Sequence, residues 1–224
     1  MFLSLFFSSP LLAIVWLAVI LLSLSVHEFS HAYMAFVKGD DTAERYGRLT
    51  INPLAHIDPI GLVMMLTLGF GWAKPVPYDP RNLANPARDS LHVALAGPLS
   101  NLALAVVCGL VLRILLGVGI IGITNLLSVF LILMVIINLF LLLFNLIPIP
   151  PLDGAKFLDA IFAGTEYRRI LIFVHTYGSQ ILLILVVLSI FTSINVFFFL
   201  SAPAYGACDL LVGRSCLGLL SGVL

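Results

Sequence analysis

An all-α polytopic membrane fold is what this sequence predicts, with about four full spans, a short re-entrant segment and a small β element at 47–52. Three observations carry the prediction. First, 61% of the 224 residues are hydrophobic and only 10% are charged, with a mean hydropathy of +1.16; a soluble domain carries about 25% charged residues. Second, charge is absent from the long windows 1–26, 90–112, 114–152 and 170–208, and a spanning helix needs about 20 apolar residues. Third, the charge-free window 59–73 is too short to span and contains Pro59, Gly61, Gly69 and Gly71. Such a stretch suits a half-crossing element.

Taken in order, the first helix is expected at about Pro10 to Val37, with a polar motif in its last third. Residues 1–26 lack the basic start and small-residue cleavage site of a secretory signal, so this segment reads as a retained helix. Residues 47–52 alternate weakly and stop at Pro53, which suggests the short strand. The stretch 74–89, rich in Pro, Asn and Arg, reads as an ordered loop. Further spans are expected at about 90–112, 120–147 and 171–200. One domain is expected over 1–224, with a core at about 10–160 and an extra C-terminal span and tail at 170–224. The tail after Ser201 has no role legible in the sequence.

The 11 basic residues test the topology. If 59–73 does not cross, Lys38, Arg45, Arg48, Lys74, Arg81, Arg88, Lys156, Arg168 and Arg169 share one side, with only Arg113 and Arg214 opposite. The positive-inside rule then places loops 38–58, 74–89 and 148–169 in the cytosol of a multi-pass cell-membrane protein. A net charge of zero gives no reason to expect nucleic-acid binding. The three cysteines, Cys108, Cys208 and Cys216, fit neither a disulfide framework nor a CxxC metal site.

His27-Glu28-Phe29-Ser30-His31 is an HExxH motif. Positions four apart share one face of a helix, so both imidazoles can reach one zinc ion, while Glu28 points about 100° away. From there Glu28 can take a proton from a water activated by the metal. In a soluble helix the same pattern can be a solvated polar face. At the end of an apolar span each ionisable group costs about 2.5–3.5 kcal/mol, which a metal site could offset. A hydrolytic zinc site needs a third protein ligand and one open position. Asp153 is the only acid between Asp89 and Lys156. It follows Pro148, Pro150 and Pro151, which break the preceding helix, and precedes Gly154, which lets the backbone turn. Asp153 is therefore the candidate third ligand, against the plainer reading of an interfacial turn aspartate.

HEFSH at the end of a membrane helix, together with Asn145-Leu-Ile-Pro-Ile-Pro-Pro-Leu-Asp-Gly154, resembles the site-2 protease family of intramembrane zinc metalloproteases. The segments 47–61 (GRLTINPLAHIDPIG), 71–82 (GWAKPVPYDPRN) and 94–101 (ALAGPLSN) look similar too. The resemblance covers roughly residues 20–160 and is to compact prokaryotic members without a PDZ domain. It implies one Zn2+ per chain on His27, His31 and Asp153, with Glu28 as catalytic acid/base. It also implies Asn145 near the site, either as a donor to developing oxyanion charge or in a helix-to-helix hydrogen bond. The implied partners are single-span membrane protein substrates and the lipid bilayer, with the active site toward the cytosolic side.

Other polar residues have quieter readings. Gly97 and Pro98 suggest close packing and a kink in the third span, whereas Asn101 is balanced between packing and the site. His56, beside Asp58 in a loop, could approach the zinc when substrate is absent but reads rather as a surface hydrogen-bonding group, and His92 and His175 have no evident partner. Lys74, Trp72 and Tyr78 suit interface anchoring. Two alternatives to a protease are a membrane proton or metal-ion transporter using the buried His/Glu cluster, and a non-catalytic scaffold.

Overall fold

The computed structural model describes residues 6–162, 168–192 and 196–222. Ten helices are named here: α1 (Pro10–Val37), α2 (Thr42–Arg45), α3 (Pro53–His56), α4 (Pro59–Leu68), α5 (Pro86–Gly117), α6 (Leu126–Asn145), α7 (Ala155–Phe162), α8 (Arg168–Phe191), α9 (Phe198–Val212) and α10 (Cys216–Ser221). Among the described residues, α1, α5, α6 and α8 are long and apolar enough to cross a bilayer. Proline opens α1, α3, α4 and α5, where its missing N–H would have been an orphan in any case. Side chains of Asn52, Asp58 and Asn125 cap α3, α4 and α6 by accepting from Leu54, Gly61 and Leu127 amides.

Helices α1, α5 and α6 form the central packing unit. Val19, Ala105, Leu112, Val135 and Leu139 are essentially fully buried where they meet. In lipid there is no hydrophobic drive between helices, so such contacts hold by close van der Waals packing. The third span begins at Pro86, before the expected residue 90, because Asn85 and Pro86 start it outside the apolar window. The last expected span is corrected: α8 ends at Phe191, and a separate helix, α9, begins at Phe198. The part of the expected loop 148–169 at 163–167 lies outside the described residues.

The expected re-entrant segment is present as α4. Its 10 residues rise about 15 Å, half the thickness of a hydrocarbon core. An isolated antiparallel bridge joins Ile57 to Ala73, and the Lys74 amide donates to the His56 carbonyl at 2.8 Å. Both ends of the segment therefore sit together on one side. Gly61 and Gly71 are required by this fold-back: a Cβ on Gly61 would run into the Trp72 carbonyl, and one on Gly71 would lie 2.7 Å from Met65 Cβ.

The β element expected at 47–52 is a correction: no strand forms there, and no strand occurs elsewhere among the described residues. The reason is where its polar groups go. Gly47 closes a turn at φ +65°, the Thr50 carbonyl accepts from His56 Nε2 at 2.7 Å, and Asn52 is spent as a helix cap. The loop behind it is pinned by fully buried Asp40. Its carboxylate accepts from the Thr42 amide and hydroxyl, the Asp79 amide and Asn82 Nδ2. Burial pushes that carboxyl up, but the hydrogen bonds outweigh burial and hold it below the usual carboxylate range.

The tail also corrects the reading of its cysteines. Cys208 and Cys216 form a disulfide with a Cα–Cα separation of 6.1 Å; Cys108 is buried and free. The bond joins α9 to α10, and the Cys216 amide also donates to Asp209 Oδ1 at 2.6 Å. Helix α9 packs on α5 and α6, with Ala204, Cys208 and Val212 in the buried core.

Candidate metal centre

The site lies where the second half of α1, the first half of α5 and the turn after α6 converge. His27 and His31 face the same way from α1, with their Nε2 atoms 3.0 Å apart. Asp153 Oδ2 lies 3.2 Å from the first and 3.3 Å from the second. No other group of three His, Cys, Asp or Glu side chains with metal-holding geometry occurs among the described residues.

The hydrogen-bond partners decide what those three atoms are. His31 Nδ1 lies 2.7 Å from the Val93 carbonyl, which can only accept, so Nδ1 carries a proton and the neutral ring presents its lone pair at Nε2. His27 Nδ1 faces Asn101 Oδ1 at 2.6 Å in the same manner. Asp153 Oδ2 is buried and finds no hydrogen-bond donor. With both rings neutral, three electron-pair donors would point at one place, an arrangement that a cation would satisfy. Zinc bonds of about 2.0–2.1 Å at a tetrahedral angle separate two ligand atoms by about 3.3–3.4 Å. The triangle of 3.0, 3.2 and 3.3 Å is close to that figure, so the residues fit zinc and leave one face for a further ligand.

The turn that aims Asp153 is built from close approach. The Gly154 amide donates to the Asn145 carbonyl at 2.7 Å, and a Cβ on Gly154 would lie 2.6 Å from the Leu146 carbonyl carbon. Glu28 Oε2 accepts from the Val76 amide at 3.1 Å, so the loop after α4 holds the carboxylate beside the triangle rather than in it. Arg48 is buried and donates to the Lys74 carbonyl. Burial pushes its guanidinium down, opposed by the negative charge of Glu28.

Asn145 is not one of the three residues of the triangle. Its Nδ2 donates to the Leu141 carbonyl at 3.0 Å on its own helix. His56 is buried rather than on the surface, and bonds the Thr50 carbonyl instead of approaching the metal site. His92 and His175 find partners in Asp89 at 3.4 Å and Asp159 at 2.6 Å. Two residues at the site had only weak sequence signals. A Cβ on Gly97 would lie 2.6 Å from Cε1 of both His27 and His31, and nearer still to His31 Nε2. Asn101, 0% exposed, touches His27 directly. A small residue and an amide one turn apart in an apolar span were the available hint.

The profile of Peptidase family M50 matches residues 118–189, a range that includes Asp153. A Mycolicibacterium smegmatis protein named "Putative zinc metalloprotease Rip2" is 34% identical over 193 residues, covering 80% of this chain and 68% of that protein. The chain belongs to peptidase family M50. Its likeness extends to "Putative zinc metalloprotease YwhC" of Bacillus subtilis, 41% identical over 143 residues, which are 62% of the M50 chain and 65% of that protein. The Rip2 protein of Mycobacterium tuberculosis is 35% identical over 144 residues, 62% of the chain and 54% of that protein. The M50 chain thus aligns with between about half and two thirds of the length of these relatives. No solved structure matches it. The family and the four apolar helices together make this M50 chain a multi-pass membrane protein of the site-2 protease family.

Proposed function

We propose that this chain is a zinc endopeptidase that hydrolyses peptide bonds within the membrane-spanning segments of single-span proteins, with one zinc per chain held by His27, His31 and Asp153. The observation that carries the reading is the triangle of two imidazole nitrogens and a carboxylate oxygen inside a bundle of apolar helices, with a second carboxylate beside it. Zinc bound there would supply Lewis-acid polarisation of the scissile carbonyl and of the attacking water. Glu28 would take the water's proton and pass it to the leaving nitrogen. Asn145 would have to leave the Leu141 carbonyl to donate to oxyanion charge on the substrate. A helical substrate hides its carbonyls in the i-to-i−4 ladder, so local unwinding precedes attack.

The test uses purified protein and a panel of single-span substrates. Wild type is expected to cleave, a chelator to stop cleavage and zinc to restore it. Asp153→Ala is expected to lose about 100-fold or more in zinc affinity, beyond the 10–100-fold typical of groups that only support a ligand, and to lose cleavage with it. Cleavage by metal-free protein would overturn the reading.

The same reading orients the site toward the cytosol. Two separate features support it. Nine of the 11 basic residues fall on the site's side once 59–73 folds back. The disulfide lies at the other end, where Arg113 of α5 reaches the Leu210 carbonyl and packs against Gly213. Arg113 stands about 24 Å along the helix from Gly97, and disulfides persist on the extracytoplasmic side. An impermeant maleimide on intact cells should label Gly122→Cys, and should label Arg81→Cys only after permeabilisation. The reverse pattern would invert the orientation.

A further inference from the structure

Behind the metal triangle runs a line of buried polar side chains that the proposed chemistry does not use. Asn101, Asn138 and Ser23 are each 0% exposed, in α5, α6 and α1 respectively. Asn101 Nδ2 donates to Asn138 Oδ1 at 2.7 Å. Asn138 Nδ2 donates to the Met134 carbonyl and to Ser23 Oγ, both at 2.8 Å. Asn101 Oδ1 closes the line on His27 Nδ1 at 2.6 Å.

The direction of this line is fixed from its far end. The Met134 carbonyl is a backbone acceptor and cannot donate. Asn138 must therefore turn its NH2 toward Met134, which leaves its oxygen toward Asn101. Asn101 must answer with its NH2, which leaves its own oxygen toward His27. An oxygen there can only accept, so the neutral ring of His27 carries its proton on Nδ1 and its lone pair on Nε2, on the side of Asp153. Reversing any amide sets acceptor against acceptor or donor against donor in a site sealed from water, where an unmatched polar group costs about 1–3 kcal/mol.

We propose that Asn101 and Asn138 are positioning residues that hold His27 in the metal-ready Nδ1–H tautomer, through a one-way hydrogen-bond chain anchored on the Met134 carbonyl. This rests on the reading of His27 as a zinc ligand. It adds that the ligand's readiness is set from α6, three residues away along a chain of contacts and from no position that touches the ion. His31 needs no such relay, because the Val93 carbonyl fixes its tautomer directly. The three spans of the central bundle are thereby tied to one another at the ligand itself.

The test measures zinc dissociation constants by chelator competition, with no substrate present. Asn101→Leu removes the acceptor at His27 and is expected to weaken zinc binding about 10–100-fold. Asn138→Leu touches neither histidine, yet is expected to weaken it at least about threefold by freeing the Asn101 amide to rotate. Asn101→Asp, measured at a pH low enough to protonate that buried acid, keeps a carboxyl oxygen for the Nδ1 proton and an O–H for Asn138 Oδ1, and is expected to recover most of the loss seen with leucine. Equal losses in the Asp and Leu variants at 101 would mean that the position serves packing alone, and would overturn the proposal. So would wild-type affinity in Asn101→Leu. Thermal unfolding of the metal-free variants separates a collapsed fold from a weakened site: a variant that unfolds like wild type but binds zinc poorly supports the relay. Wild type that binds zinc without cleaving any substrate would remove the protease reading and leave the relay standing.

Discussion

Replacing Glu28 with glutamine is expected to leave bound zinc at the wild-type level while lowering peptide-bond hydrolysis about 10²–10⁴-fold, the usual contribution of a general base. The geometry separates the two effects. Glu28 Oε2 accepts from the Val76 amide, and a glutamine oxygen can accept the same bond from a side chain of the same shape. None of the three atoms of the metal triangle belongs to Glu28. What glutamine lacks is the ability to take a proton. Metal analysis of the purified variant, paired with a gel assay of a single-span substrate, reads both quantities. Cleavage within tenfold of wild type would remove Glu28 as the base, and loss of zinc in this variant would place Glu28 among the ligands.

Gly97→Ala is expected to act oppositely, removing zinc and cleavage together. Alanine favours a helix over glycine by about 0.8–1.0 kcal/mol, so propensity alone would make the substitution stabilising. The added methyl, however, would sit 2.6 Å from Cε1 of both His27 and His31. Either α5 moves away from α1 or the rings turn from the metal. Overpacking of this kind costs about 1–3 kcal/mol, which at the ligands corresponds to roughly 10–100-fold in zinc affinity. Gly206→Ala, also within a helix but with nothing within 4 Å of the new Cβ, is the control and should bind zinc as wild type does. Equal zinc affinity in Gly97→Ala and Gly206→Ala would show that α5 does not crowd the histidines.

These two positions mark what could be read from the sequence. HExxH needs only the period of a helix, and the bounds of α1 need only hydropathy, so both were legible before any fold was known. Asp153 was legible because acids are scarce in apolar chain and prolines stop a helix beside it. The half-crossing segment was legible from its length and from the side on which the basic residues fall. Gly97 and the Asn101–Asn138 pair were not. Gly97 meets the histidines of another span, and Asn101 meets His27 and Asn138, 74 and 37 residues away in sequence; no local pattern records such a meeting. The pairing of Cys208 with Cys216 was missed because eight residues of separation is no known framework; a helix end and a turn bring the sulfurs together. Asn145 shows the reverse. Its motif implied an amide that donates to oxyanion charge or across to another helix, whereas its Nδ2 donates to the Leu141 carbonyl of its own helix.

The depth of the histidines in α1 has an outcome for what is left after a cut. His31 stands six residues, and His27 ten residues, before the helix ends at Val37, which is about 9–15 Å of helix. Under the proposed activity, a substrate severed level with these rings would be cut about a third to a half of the way into its apolar stretch. Each piece would then fall well short of the about 20 residues that hold a helix across a bilayer. Under the proposed activity neither stub would be long enough to span the bilayer, so a single hydrolysis would release the substrate from its transmembrane anchor.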